Sequence, residues 1–151
     1  MPPFEACLEI LDQPGDDQPA HQEARVFLAS IGYLPAGRED RPDADTMLHR
    51  RRILGLAARL DRLFDLPLFR SPGVHFFGGQ ADPANFGLAG FDGATVNVAG
   101  RGLTRRQAFE SCVGEAAEHL SFLEWPADAQ FRRQGEEPDR AHGVGPDRRQ
   151  Q

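Results

Sequence analysis

Hydrophobic residues recur at helical spacing in two short stretches near the start of the chain. In both stretches the apolar side chains are separated by three or four residues, which places them on one side of a helix. Each pattern ends at residues that favour turns, Pro14-Gly15 after the first and Gly32 after the second. The apolar positions are Phe4, Cys7, Leu8 and Leu11, followed by Ala24, Phe27, Leu28 and Ile31.

The same spacing predicts a third helix from about Thr46 to Phe64. Asp43 or Asp45 can cap its start, because a carboxylate accepts hydrogen bonds from the first free backbone N–H groups of a helix. Pro67 is expected to end it, since proline cannot continue a helix. The apolar stripe of this helix consists of Ile53, Leu56, Leu60, Leu63 and Phe64.

Residues 66–99 change to short segments that are rich in aromatic and β-branched residues. Such segments, separated by Gly, Pro, Asn and Asp, predict strands at 74–77, 86–88 and 94–98. Tight turns are expected at Gly78-Gly79 and at 90–93. His75 lies among aromatic residues, and a packed structural histidine is favoured there, because no second His or Cys stands at metal-ligand spacing.

A strand–turn–helix unit follows. The strand runs into Gly100-Arg101-Gly102-Leu103, and the helix extends from Arg105 to about Leu123. Thr104 and Gln107 have the spacing of a capping box, in which each side chain binds the backbone of the other. The helix has an apolar arc made of Phe109, Cys112, Val113, Ala116, Leu120 and Leu123. The order of elements predicts a mixed α/β (α+β) fold, with helices first, then a small sheet, then this unit.

Charge and composition exclude several functions. The chain has 151 residues, and all 17 basic residues are Arg. Without lysine it can form neither a Schiff base nor a Walker-type phosphate loop. Ten acids and three Arg precede residue 46, a net charge of -7, whereas the remainder carries +1 of the total of -6. This balance disfavours nucleic acid as a partner, because nucleic-acid binding needs a basic face.

Two cysteines make neither a disulfide framework nor a metal cluster. No apolar stretch approaches the ~18 residues of a membrane helix, and the first residues lack the pattern of a signal peptide. We therefore expect a cytoplasmic protein without a membrane partner. Residues 126–151 contain five hydrophobic residues, five acids and five Arg, which predicts a disordered polar tail after a folded part at 1–125.

Opposite its apolar arc, the last helix carries Ser111, Glu115 and Glu118 at i, i+4 and i+7. One interpretation is a solvated face, although neither acid has a Lys or Arg four residues later to form a helix ion pair. The other interpretation is a cation site, because Mg²⁺ prefers carboxylate oxygens and nucleotide phosphates as ligands. Two carboxylates bind Mg²⁺ weakly, so such a site needs further groups from elsewhere.

These residues resemble a known family. Gly100-Arg101-Gly102-Leu103-Thr104, then Gln107-Ala108 and the run from Ser111 to Ser121, are similar to the first nucleotide-binding motif of YcaO proteins. In that family a "G-K-G-L-T" type turn precedes a helix with S-x-x-x-E-x-x-E-R. Ser111, Glu115 and Glu118 stand at the first three positions, and His119 stands where the family has Arg. The likeness covers about thirty residues.

The resemblance implies an ATP- and Mg²⁺-dependent chemistry. YcaO proteins phosphorylate a backbone amide oxygen, and their members form azolines, amidines or thioamides in ribosomally made peptides, or are linked to ribosomal protein modification. It also implies that Ser111, Glu115 and Glu118 hold ATP, with Glu115 and Glu118 as the magnesium ligands. No catalytic residue is assigned to the chain itself, and a ribosomal peptide or protein is the implied substrate.

Two departures leave the function open. His119 cannot make the forked contacts of a guanidinium, and the later motifs of the family are missing from the chain. We therefore expect either the N-terminal part of a YcaO-like enzyme, as a truncated product or as one piece completed by a second polypeptide, or a non-catalytic accessory module. In the accessory module the motif helix is a scaffold, and the acidic N-terminal third binds a protein or peptide. A chance likeness in an unrelated small domain is the third alternative.

Overall fold

The structure, a computed structural model, describes residues 2–13, 19–34, 42–66, 73–88 and 95–123. These ranges hold helices, strands and two short 3₁₀ helices, Pro19–His21 and Pro83–Phe86, so the α+β class is confirmed. The α-helices are α1 (Phe4–Asp12), α2 (Gln22–Ser30), α3 (Ala44–Ala57) and α4 (Arg105–Leu123), and the strands are β1 (Arg62–Leu66), β2 (His75–Ala81) and β3 (Val96–Gly102).

The three strands form an antiparallel sheet in the order β1-β2-β3. Helix α4 packs against β3 and β2. Along β3 the predicted alternation is confirmed, since Val98 is buried and both Asn97 and Ala99 are exposed. The strands thus follow one another as a meander, with one side covered by α4.

Aromatic rings surround Phe109 at the centre of the core. Its ring lies 5.3–6.3 Å, centroid to centroid, from the rings of Phe4, Phe27, Tyr33 and Phe77. Most of these pairs meet edge to face, the arrangement that aromatic quadrupoles favour. The predicted apolar arc of α4 therefore lies inside the core, and only Leu123 at its end is partly exposed.

Helices α1 and α2 cover the two stretches of apolar residues at helical spacing, except Ile31 directly after α2, and each ends before the predicted turn residues. The predicted apolar residues of both are buried except Leu8, which is partly buried and packs against the core. Gly32 has a φ of +67°, a left-handed conformation that glycine adopts without strain and that ends α2 as predicted.

The prediction for the third helix is half wrong. Asp43 caps it as expected, accepting a hydrogen bond from Thr46 N–H at 2.7 Å. The helix ends at Ala57, however, and Leu63 and Phe64 lie in β1 instead. Leu63 and Phe64 point to opposite sides of a strand, Leu63 buried and Phe64 45% exposed, so pairing with β2 decides their conformation.

Two predictions in the sheet region are also wrong. Gly78-Gly79 is not a turn but the middle of β2, where both residues pair with β1 and β3. Phe86 ends a 3₁₀ helix, because Asp82 accepts a hydrogen bond from Ala84 N–H and Gly87 turns the chain with a φ of +77°. His75 is half-buried in β2, as expected of a structural histidine.

The turn expected at 90–93, Pro67 and the tail expected at 126–151 lie outside the described residues. Within the ranges that the structure describes, none of the helices combines the length and the apolar character that crossing a membrane requires.

Candidate functional site

The candidate site is built on the turn between β3 and α4. Gln107 N–H donates to Thr104 Oγ1 at 3.2 Å, and Thr104 N–H donates to Gln107 Oε1 at 3.2 Å. Leu103 N–H donates to the same Gln107 oxygen at 3.0 Å. The predicted capping box is confirmed, and it fixes the direction in which α4 leaves the sheet.

Two glycines let β3 lie directly against α4. A side chain at Gly100 would overlap the Ala108 carbonyl oxygen and the Cys112 backbone, whose Cα lies 2.7 Å from the position of that added carbon. At Gly102 an added carbon would lie 2.7 Å from Ala108 N. The Gly100-Arg101-Gly102 sequence therefore has a packing function in this fold, whatever else it does.

Ser111, Glu115 and Glu118, hereafter the polar stripe, lie along the surface of α4. Ser111 and Glu118 are exposed, and Glu115 is half-buried on the side of α4 that faces the outer edge of β3. In the described part of the chain, the side chains of Ser111 and Glu118 have no hydrogen-bond or ion-pair partner. The structure thus brings the three predicted residues together on one accessible surface.

Glu115 is the member of the polar stripe that the fold holds in place. Its Oε2 accepts a hydrogen bond from Ala99 N–H at 3.1 Å, across the gap between α4 and β3. Its Oε1 lies 3.7 Å from His119 Nε2. One carboxylate oxygen is therefore oriented by the backbone of an edge strand, while the other faces His119 and solvent.

The Ala99 contact could not be read from the sequence, because it joins residues that are far apart along the chain. The proximity of Glu115 and His119 follows from the sequence, because residues four apart on a helix are neighbours. His119 thus lies beside Glu115, at the position where the motif that this helix resembles has Arg. Its side chain is half-exposed.

The side chains available as metal ligands limit what the site can bind. No three side chains among His, Cys, Asp and Glu converge on a metal position within the described ranges. Glu115 and Glu118 supply carboxylate oxygens of the kind that Mg²⁺ prefers, and Ser111 supplies a hydroxyl. A magnesium ion bound by these groups has most of its coordination positions left for phosphate, water or groups from another chain.

On the other flank of α4 lies a polar cluster that the sequence did not reveal. Tyr33 is buried, and its hydroxyl donates to Glu110 Oε1 at 2.9 Å. Arg50 donates to the Tyr33 carbonyl at 2.7 Å and its guanidinium lies over the Tyr33 ring, 5.2 Å from the centroid, while His49 Nε2 lies 3.7 Å from Glu110 Oε1. Burial, followed by the Glu110 charge, raises the pKa of Tyr33 above its ordinary value. His49 and Arg50 belong to a run of four basic residues at 49–52, so part of this run has structural contacts.

Arg105 makes a second unforeseen link at the start of α4. Its Nε donates to Asp65 Oδ2 at 2.9 Å, and another nitrogen of the guanidinium donates to the Ser30 hydroxyl. The guanidinium also lies over the rings of Phe27 and Phe77, 5.8 and 5.7 Å from their centroids. Arg105 therefore joins α4 to α2 and to the sheet.

Cys112 lies under the polar stripe rather than in it. Burial, together with the Glu115 charge, raises the pKa of its thiol to about 11. Cys7 is buried as well, and its thiol pKa is raised to about 12. Both residues behave as structural thiols, which agrees with the placement of Cys112 on the apolar arc.

The comparisons with known proteins add no relative to this picture. Searches against protein-family models, curated proteins and solved structures each return no match. The candidate function therefore depends on the geometry of the strand–turn–helix unit and on the residues of the polar stripe.

Proposed function

We propose that this chain supplies the first half of a magnesium–nucleotide site of the YcaO type. The observation that carries the proposal is the polar stripe on the accessible surface of α4, with Glu115 oriented by Ala99 N–H beside the edge of β3. A carboxylate held by a backbone donor loses little freedom when it binds a cation, and such orienting contacts strengthen ligand positions.

Each residue of the polar stripe has a separate role in this proposal. Glu115 and Glu118 hold Mg²⁺, and Ser111 binds a phosphate oxygen of ATP. When bound, magnesium neutralises phosphate charge and so assists phosphoryl transfer. The protein contributes the two carboxylates, of which Glu115 is held by Ala99 N–H, and the capped turn sets the position of α4 relative to β3.

A second polypeptide completes the site in this proposal, and the substrate is a backbone amide of a ribosomally made peptide or protein. The two carboxylates of this chain bind Mg·ATP weakly by themselves, with water and phosphate at the other magnesium positions, and the second polypeptide adds further contacts to the nucleotide and the peptide. The cytoplasm, where ATP and ribosomal products are both present, is the compartment that suits this activity.

Calorimetry with Mg·ATP tests the proposal on the full chain. We expect weak binding that needs magnesium and that falls about tenfold or more in Glu118→Gln, which removes one charged ligand and disturbs no contact among the described residues. Glu5→Gln, an exposed acid on α1, is the matched control and should bind like the native chain. Absence of binding, or equal binding in all three proteins, would contradict the proposal.

One observation favours the accessory module as a second candidate. Glu115 already has a structural task, since it satisfies the backbone N–H of Ala99. A scaffold needs Glu115 for this purpose and needs neither Ser111 nor Glu118. This alternative predicts that the native chain does not bind nucleotide. It also predicts that a Ser111→Ala, Glu118→Gln double variant still binds the peptide or protein partner.

A further inference from the structure

The sheet has two faces with different environments. Leu63, Phe77 and Val98 are buried on the face that α4 covers. The other face, hereafter the open face, carries nine residues in three cross-strand rows. The rows are Arg62–Gln80–Asn97, Phe64–Gly78–Ala99 and Leu66–Phe76–Arg101.

The open face is more apolar than a solvated face of an antiparallel sheet, which normally carries polar residues. Phe64 and Leu66 are 45% and 42% exposed. The Phe64 ring lies over Gly78, where an added carbon would be 2.5 Å from Phe64 Cε2. Phe64 and Leu66 therefore form an apolar surface that a partner can cover. Each Å² of apolar area removed from water contributes about 25 cal/mol to the free energy of binding.

The charges of the open face have one sign. Arg62 and Arg101 stand at opposite corners of the three rows, and none of the nine positions is acidic, although the whole chain carries -6. Asp65, the acid within β1, lies towards α4 and is bonded to Arg105. From strand spacing and rise, the Cα atoms of Arg62 and Arg101 are roughly 16 Å apart.

We propose that the open face docks an amphipathic helix of another protein, whose apolar stripe is flanked by acidic residues about three turns apart. A helix rises about 1.5 Å per residue, so acids eleven residues apart span the distance between the two arginines. Between them, apolar residues at i, i+3, i+4 and i+7 cover Phe64, Leu66 and Phe76.

A second copy of this chain fits the open face less well. Pairing two open faces buries Arg62 and Arg101 of both copies against a surface without a carboxylate, and an unpaired buried charge is costly. The docking proposal does not depend on the nucleotide proposal, because it uses different residues and predicts a different ligand.

Two synthetic helical peptides test the docking proposal by fluorescence anisotropy. They share one leucine stripe, but one carries Glu at the flanking positions and the other carries Lys. We expect the acidic peptide to bind the full chain and the basic peptide to bind at least tenfold more weakly. Arg62→Glu should weaken the acidic peptide about tenfold or more, and Leu66→Ser should weaken both peptides.

Val26→Ser is the matched control, because Val26 is 61% exposed on α2, away from the sheet. It should leave peptide binding unchanged, and circular dichroism should show the native fold in every variant. The proposal is overturned if neither peptide binds, if both bind equally, or if Val26→Ser has the effect of Leu66→Ser. It is also overturned if Leu66→Ser abolishes a native dimer in sedimentation, or if the face binds anionic phospholipid vesicles and not the acidic peptide.

Discussion

The Glu115 carboxylate accepts a hydrogen bond from the backbone N–H of Ala99 at 3.1 Å. A side chain of α4 thus satisfies one backbone donor on the outer edge of β3. In the described residues β3 is an edge strand, and an edge strand presents unpaired N–H and C=O groups to other chains. Glu115 therefore stabilises the sheet edge, and the same contact orients its carboxylate beside Glu118. One residue thus links the fold to the candidate site.

This dual role predicts different stabilities for two neighbouring variants. Glu115→Ala removes the acceptor of Ala99 N–H and should lower the free energy of unfolding by about 0.5–1.5 kcal/mol. Glu118→Ala removes an exposed side chain without a partner in the described structure and should change it by less than about 0.5 kcal/mol. Urea denaturation of the two variants and the native chain measures both values. Equal stabilities would show that the Ala99 contact contributes nothing.

The close approach of β3 to α4 predicts that Gly100→Ala is strongly destabilising. The new methyl group would overlap the backbone of α4, so the two elements must separate, at a cost of about 3 kcal/mol or more. Gly114→Ala is the matched control, because nothing lies within 4 Å of an added carbon there. Since alanine favours helix, this control should gain about 0.5–1 kcal/mol. Thermal unfolding compares them, and equal melting temperatures would contradict the packing.

Arg105 and Arg106 are adjacent arginines with different expected effects. Arg105→Met loses the bonds to Asp65 and Ser30 and the position over two aromatic rings, and should cost about 1–3 kcal/mol. Arg106 is exposed, and Arg106→Met should change stability by less than about 0.5 kcal/mol. Denaturation curves of the two variants give the difference. A double-mutant cycle with Asp65→Asn should show coupling for Arg105 only.

The buried thiols predict a loss of stability in alkali. The folded pKa values of Cys112 and Cys7 are raised to about 11 and 12 from an ordinary value of 9.0. The folded state therefore holds these protons more tightly than the unfolded state. Their contribution is complete below pH 9 and is lost as the pH rises from 9 through about 11 for Cys112 and about 12 for Cys7. Unfolding followed from pH 8 to pH 11 should show this decline, and a Cys7→Ala, Cys112→Ala variant should show less of it.

The same burial predicts slow thiol chemistry. At pH 8 both cysteines should react with a disulfide reagent only after denaturation, because the thiolate is the reactive form and is scarce at that pH. Fast modification of the native chain would contradict the placement of either thiol in the core.

The sequence was sufficient where local signals agreed. The Thr104–Gln107 capping box, the apolar arc around Phe109 and the polar stripe all depend on residues within one helix or its first turn. Such signals do not require knowledge of which distant elements meet, and α4 was therefore predicted with its observed limits.

Elements that depend on distant pairing could not be read in this way. Leu63 fits a helical stripe and a strand equally well, and only its pairing opposite Gly79 decides between them. Gly78 resembles a turn residue, but it is needed inside β2 because Phe64 lies on it. The contacts of Glu115 with Ala99 and of Arg105 with Asp65 join residues 16 and 40 positions apart, which no local pattern reveals.

The most direct test of the central claim is nuclear magnetic resonance of the full chain with Mn·ATP. A paramagnetic ion broadens the amide signals of nearby residues, so its position on the surface becomes visible. We predict selective broadening at 111–119 and at Ala99, with loss of the effect in Glu118→Gln. Broadening elsewhere, or none at concentrations of Mn·ATP that exceed the protein, would contradict a nucleotide site on α4.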